Sequence, residues 1–296
     1  MVNIEGVIPA IPTPFTPEGG LNETALRAIV EFNNQAGVNG LWVAGGAGES
    51  ILLDDDENMR IAEIASEQSR GRANIIMHIG AATTARATKL AEHAAKQGVQ
   101  ALCCVPPFFY GQDDDGVVEF YKAVASVSDL PFFIYNLPDS TGIEITPDLA
   151  HKIQDNVPRL AGLKHSALNF SNIRAFADMG LIVLNGFGHL MLPAIATGAA
   201  GCVDGPLSMA PERWIDAWNA YKSGDMDKAK KAEKGTLEVV DLIDFGYHQA
   251  LKAVLSVRLG VDCGAPRLPT LPLSSEQNKA LMSRVDSLGL SKVSVT

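Results

Sequence analysis

Leu160-Ala161-Gly162-Leu163-Lys164 is a short apolar run that ends on an amine, and segments of helical length flank it on both sides. A run of this kind predicts a buried strand. The same unit recurs along the chain at Val7 to Ala10, Leu41 to Ala44, Ile75 to Ile79, Ala101 to Val105, Phe132 to Asn136, Ile182 to Asn185 and Gly201 to Val203. Helices are predicted to begin near Asn22, Asp55, Thr84, Asp113, Thr146, Asn169, His189 and Pro211, several of them with capping residues or an acidic first turn. Leu26, Ile29 and Val30 share one helical face, as do Ala87, Leu90, Ala91 and Ala94. Eight strand-helix units match a closed parallel barrel, a (β/α)8 or TIM barrel, over residues 1–224. An open doubly wound sheet shares the local alternation, but no GxGxxG follows the first strand. Residues 225–296 show helical patterning without another strand and are predicted to form a C-terminal helical extension.

The totals set limits on partners. With 296 residues and 47% hydrophobic content the chain can bury a sizeable core, and its net charge of −10 argues against a phosphate-backbone footprint. Met1 to Phe15 lacks the pattern of a signal peptide, and no apolar stretch reaches membrane-spanning length. Cys103, Cys104, Cys202 and Cys263 read as reduced thiols, which predicts a cytoplasmic protein. The six histidines have no metal-ligand spacing, so no metal is expected. Asp54-Asp55-Asp56-Glu57 is assigned to helix capping and the helix dipole.

In a barrel of this kind the chemistry sits where strands end. Lys164 ends the sixth strand, and burial would favour the neutral, nucleophilic amine over the ammonium. Tyr135 stands at the end of the fifth strand. Gly45-Gly46-Ala47-Gly48-Glu49-Ser50 follows the second and offers backbone N–H groups with little side-chain bulk, suited to a carboxylate. Val203, at the end of the eighth strand, and His189, which opens the seventh helix, are further substrate-binding candidates. Strand alternation should point His165 away from the lysine.

These pieces together resemble the pyruvate-dependent class I aldolases, the family of dihydrodipicolinate synthase and N-acetylneuraminate lyase. The matching segments are Gly6-Val7-Ile8-Pro9-Ala10 with Thr13-Pro14-Phe15, the Gly45 to Glu49 turn, Tyr135-Asn136-Leu137-Pro138 through Thr141-Gly142, Gly162-Leu163-Lys164, and Pro266-Arg267-Leu268-Pro269. The resemblance implies a Schiff base between Lys164 and the C2 carbonyl of pyruvate or another 2-oxo acid, with no further cofactor. Tyr135 would shuttle protons, and the N–H groups of Gly46 and Ala47 would hold the carboxylate. It also implies a homo-oligomer, a tetramer or a dimer.

The departures from the family bear on substrate. Many relatives place relay hydroxyls where this chain has Gly46 and Ala47, and the relay tyrosine supplied by a neighbouring subunit aligns with Phe109, or with Tyr110 after a one-residue shift. Dihydrodipicolinate synthases resembling this chain carry a substrate-gripping arginine where Ser140 stands, and a hydroxyl cannot replace a bidentate guanidinium. Sialic acid lyases place acidic residues after the seventh strand, where this chain reads Asn185-Gly186-Phe187-Gly188-His189. The leading expectation is a lyase that splits a 2-keto-3-deoxy sugar acid or an N-acetylneuraminate-like substrate into pyruvate and an aldehyde. The alternatives are the dihydrodipicolinate synthase reaction, a sugar-acid dehydratase, and a barrel that binds a 2-oxo acid without turnover.

Overall fold

A computed structural model describes residues 3–294. The outermost residues of the two predicted spans, 1–2 and 295–296, lie outside the described residues. Eight parallel strands follow in chain order: β1 (Gly6–Val7), β2 (Gly40–Val43), β3 (Asn74–His78), β4 (Ala101–Cys104), β5 (Phe132–Asn136), β6 (Leu160–His165), β7 (Ile182–Asn185) and β8 (Gly201–Cys202). Each pairs with its sequence neighbour from β2 to β8, and β8 pairs with β1.

The segment containing β1 closes the ring. On one edge the Ile8 and Ala10 N–H groups donate to the Cys202 and Asp204 carbonyls, both at 3.0 Å. On the other edge Asn39 N–H donates to Val7 O and Trp42 N–H to Pro9 O, each at 2.9 Å, with a parallel bridge between Ala10 and Trp42. The molecule is therefore a (β/α)8 barrel. Pro9 has no N–H to give, which accounts for a first strand shorter than the Val7 to Ala10 expected from hydrophobicity.

Glycine permits the tightest approach between strands. A Cβ at Gly201 would lie 2.3 Å from Gly6 O, and one at Gly162 would lie 2.1 Å from Ile182 O. The intervening helices bury the faces their periodicity marks: Leu26, Ile29 and Val30 in Glu23–Gln35, and Ala87, Leu90, Ala91 and Ala94 in Thr84–Lys96. Asp54 and Glu57 form a reciprocal capping box at the start of Asp55–Ser69. The seventh unit differs in detail: His189 lies in a 3-10 turn, Gly188–Leu190, which leads into a short helix, Met191–Thr197.

After the eighth barrel helix, Pro211–Lys222, come the helices Met226–Val240, Tyr247–Leu259 and Ser275–Ser287. Tyr247–Leu259 packs against Glu23–Gln35 and the turn Pro206–Ser208, which places its N-terminus over the C-terminal mouth of the barrel. Among the described residues no helix is long and apolar enough to cross a membrane, and no group of His, Cys, Asp and Glu could hold a metal ion.

Candidate active site

Lys164 and Tyr135 are Cα partners on adjacent strands. Lys164 is 4% exposed, and its Nζ lies 4.5 Å from the Tyr135 ring centroid and 5.3 Å from that of Trp42. Trp42 meets Tyr135 edge to face at 5.8 Å, so the tyrosine is held between an indole and an amine. His78, buried on β3, lies edge-on to the same ring, and burial pushes its imidazole down to about 4, which keeps it neutral.

The Gly45 to Glu49 turn forms one wall. Its Gly48, Glu49 and Ser50 N–H groups donate back into the turn, whereas those of Gly46 and Ala47 have no acceptor among the described residues. Two free N–H groups beside a lysine suit a carboxylate. Glu49, in the left-handed region at φ 58, has its carboxylate oxygens fixed by the Lys252 Nζ at 2.6 Å and by the Arg267 N–H at 2.7 Å. Burial lowers the pKa of Lys252, and its bond to Glu49 opposes that shift. His248 Nε2 lies 2.9 Å from Gly46 O; a carbonyl can only accept, so Nε2 carries the proton.

A cavity of about 460 Å³ holds these groups together. It is lined by Gly46, Ala47, Tyr135, Ser140, Lys164 and His189, with Ser166 beside the lysine. A Cβ at Gly186 would fall 1.9 Å from Ser166 Oγ, so glycine there makes room for that hydroxyl. Val203 is fully buried with its N–H on Asn185 O, and it does not line the cavity; the next residue, Asp204, does. The sequence-based choice of Val203 is therefore displaced by one position along the strand end.

Phe109 and Tyr110 also stand outside this chain's own cavity. They are 86% and 74% exposed, meet edge to face at 4.9 Å, and Phe109 holds a left-handed φ of 76, which is costly for a bulky side chain. His165 points away from Lys164, as alternation requires. It packs on Phe176, with Nε2 at 3.0 Å from Asn169 O and Nδ1 at 3.2 Å from Asn136 Nδ2. Asn136 also exchanges two hydrogen bonds with the Ile145 backbone, which anchors the loop that carries Ser140.

Cavity residues missed by sequence reasoning include Asp204, Tyr247 and His248. Asp204 could have been found as the residue following the eighth strand. Tyr247 and His248 open a helix beyond the barrel, and no local pattern marks them.

Comparison with known proteins places this site in context. The family model described as "Dihydrodipicolinate synthetase family" matches residues 3–288. The chain is 30% identical over 292 residues to the 4-hydroxy-tetrahydrodipicolinate synthase of Methanopyrus kandleri, covering 97% of each sequence. It is 28% identical over 287 residues to the N-acetylneuraminate lyase of Rhizobium meliloti, covering 96% of this chain and 95% of the relative. Among solved structures, the dihydrodipicolinate synthase of Aquifex aeolicus superposes with a TM-score of 0.91 at 27% identity, covering 98% of this chain and all of that one.

Proposed function

The chain belongs to the dihydrodipicolinate synthetase family and is a class I, pyruvate-dependent aldolase of the lyase class; from that premise we propose that it cleaves a 2-keto-3-deoxy sugar acid to pyruvate and an aldehyde. The observation that carries this reading is the juxtaposition of a buried Lys164, the Tyr135 phenol and two unoccupied turn N–H groups around one cavity. Lys164 Nζ adds to the C2 carbonyl, and loss of water gives an iminium. The iminium accepts the electron pair of the breaking C3–C4 bond while the C4 hydroxyl loses its proton. Tyr135 carries protons in both stages, and the Gly46 and Ala47 N–H groups hold the substrate carboxylate so that C2 faces the amine.

Ser140 bears on the choice of substrate. It lines the cavity where the condensing enzymes resembling this chain would need a guanidinium for the second carboxylate. We read the exposed Phe109 and Tyr110 pair as suited to a neighbouring subunit's cavity in a homo-oligomer. Borohydride reduction in the presence of pyruvate, with mass mapping of the adduct, tests the imine. An adduct on Lys164 is expected, and absence of an adduct on any lysine overturns the mechanism.

A further inference from the structure

Asp204 is a half-buried carboxyl group on the wall of the cavity that also holds Lys164. It follows β8, two strands from the lysine and on the side opposite Tyr135. Its hydrogen bonds are well defined: Oδ2 accepts from Gly188 N–H at 2.9 Å, and Oδ1 accepts from Gly205 N–H at 2.7 Å and from the Tyr247 hydroxyl at 3.3 Å. Tyr247 Oη in turn accepts from Gly205 N–H at 3.2 Å. A carboxylate offers roughly four acceptor sites, and three are filled. One acceptor direction on Oδ2 and one lone pair on Tyr247 Oη remain, and neither group has a donor to spare.

An acid of this kind is costly to keep. Burial raises its pKa, and the Gly188 N–H, the nearby Lys164 and the Gly205 N–H oppose that shift. A core with no polar task here would be served better by an apolar side chain. Two acceptors without donors recognise hydroxyl groups. The negative charge of Asp204 repels a second carboxylate. The loop that approaches them, Phe187-Gly188-His189, has glycine where a side chain would otherwise stand: a Cβ at Gly188 would meet Asp204 Oδ2 at 3.2 Å.

We propose that Asp204, with Tyr247, is the specificity determinant of this site, binding a hydroxyl group of the aldehyde half and selecting a neutral polyhydroxylated chain over one that ends in a carboxylate. The proposal rests on the aldolase reading above. Lys164 and Tyr135 act at C2 and C4, and the Asp204 and Tyr247 acceptors serve hydroxyls further along the chain. Asp204 is a binding group in this scheme.

The test compares two substrates in wild type, Asp204→Asn and Tyr247→Phe: a six-carbon 2-keto-3-deoxy sugar acid, and 4-hydroxy-2-oxopentanoate, which has no hydroxyl beyond C4. The ratio of the two kcat/KM values is the readout. Wild type should prefer the sugar acid, and Asp204→Asn should lower that preference about 10- to 100-fold, as expected for loss of a charge-assisted hydrogen bond. Tyr247→Phe, which leaves both backbone bonds to Asp204 in place, should lower it several-fold. Equal losses on both substrates overturn the proposal, because they would mark a structural or electrostatic role. A wild type that forms the pyruvate adduct but does not favour the hydroxylated acid also overturns it, and leaves the aldolase reading intact. A wild type that forms no adduct fails the aldolase reading itself.

Discussion

Tyr135 and Lys164 face each other across a single rung of the β5–β6 ladder, with the amine 4.5 Å from the centre of the phenol ring. Adjacent parallel strands fix this relationship through backbone hydrogen bonds, so neither side chain needs a loop to bring it into position.

Removing either member should therefore separate their roles. Lys164→Met fills similar volume without an amine and is expected to abolish the borohydride adduct and cleavage together. Tyr135→Phe is expected to lower kcat by about 10²- to 10⁴-fold, the usual contribution of a positioned acid-base group. Adduct yield and steady-state rates check both.

Gly46 leaves room for a hydroxyl that this chain lacks. A Cβ there meets only Tyr135 Oη, at 3.8 Å, an ordinary contact. Gly46→Ser should therefore fold normally and place an Oγ near the phenol, raising kcat by about 10-fold if proton transfer limits turnover. An unchanged kcat with a normal solvent isotope effect would show that the relay is already complete through another group.

Lys252 and Glu49 form an ion pair whose side chains are each 1% exposed. Lys252→Met leaves a buried carboxylate without its cation and should cost about 3–5 kcal/mol by urea denaturation. The double variant Lys252→Met with Glu49→Gln should recover part of that loss, because no isolated charge remains.

His78 predicts an acid-sensitive limb of the stability curve. Its pKa falls from 6.5 in the unfolded chain to about 4 in the fold because burial excludes the charged form. Between these values the unfolded chain binds a proton that the native one refuses. Its contribution is fully present above 6.5 and is lost as pH falls through about 4, up to about 3 kcal/mol. The paired carboxylate of Glu31, held down to about 2 by Arg72, acts in a lower window that starts at 4.5. His78→Asn should make the limb above pH 4.5 shallower, leaving the part contributed by His165, whose pKa burial also lowers, and should leave the lower limb in place, as measured by chemical denaturation at each pH.

Much of this architecture could be read from local sequence, for a physical reason. Strands buried on both faces are continuous apolar runs, and Phe132–Asn136 and Ile182–Asn185 begin and end where hydrophobicity indicates. Lys164 and Tyr135 were visible because each breaks such a run at the end where parallel barrels place their chemistry. Val203 was chosen in place of Asp204 because a strand end read from hydrophobicity is uncertain by a residue, and one residue reverses the side-chain direction. Tyr247 and His248 were invisible, since only the packing of a distant helix brings them to the mouth.

That distant helix has a consequence for anyone who would recombine these enzymes. His248 meets Gly46 across 202 positions of sequence, and Arg267 reaches back to Glu49 across 218. A chimera spliced between the barrel and the last three helices would join a turn from one parent to a clasp from another, and would inherit the fault at the Gly45 to Glu49 turn. Crossover points for such hybrids belong where both halves of the clasp travel together.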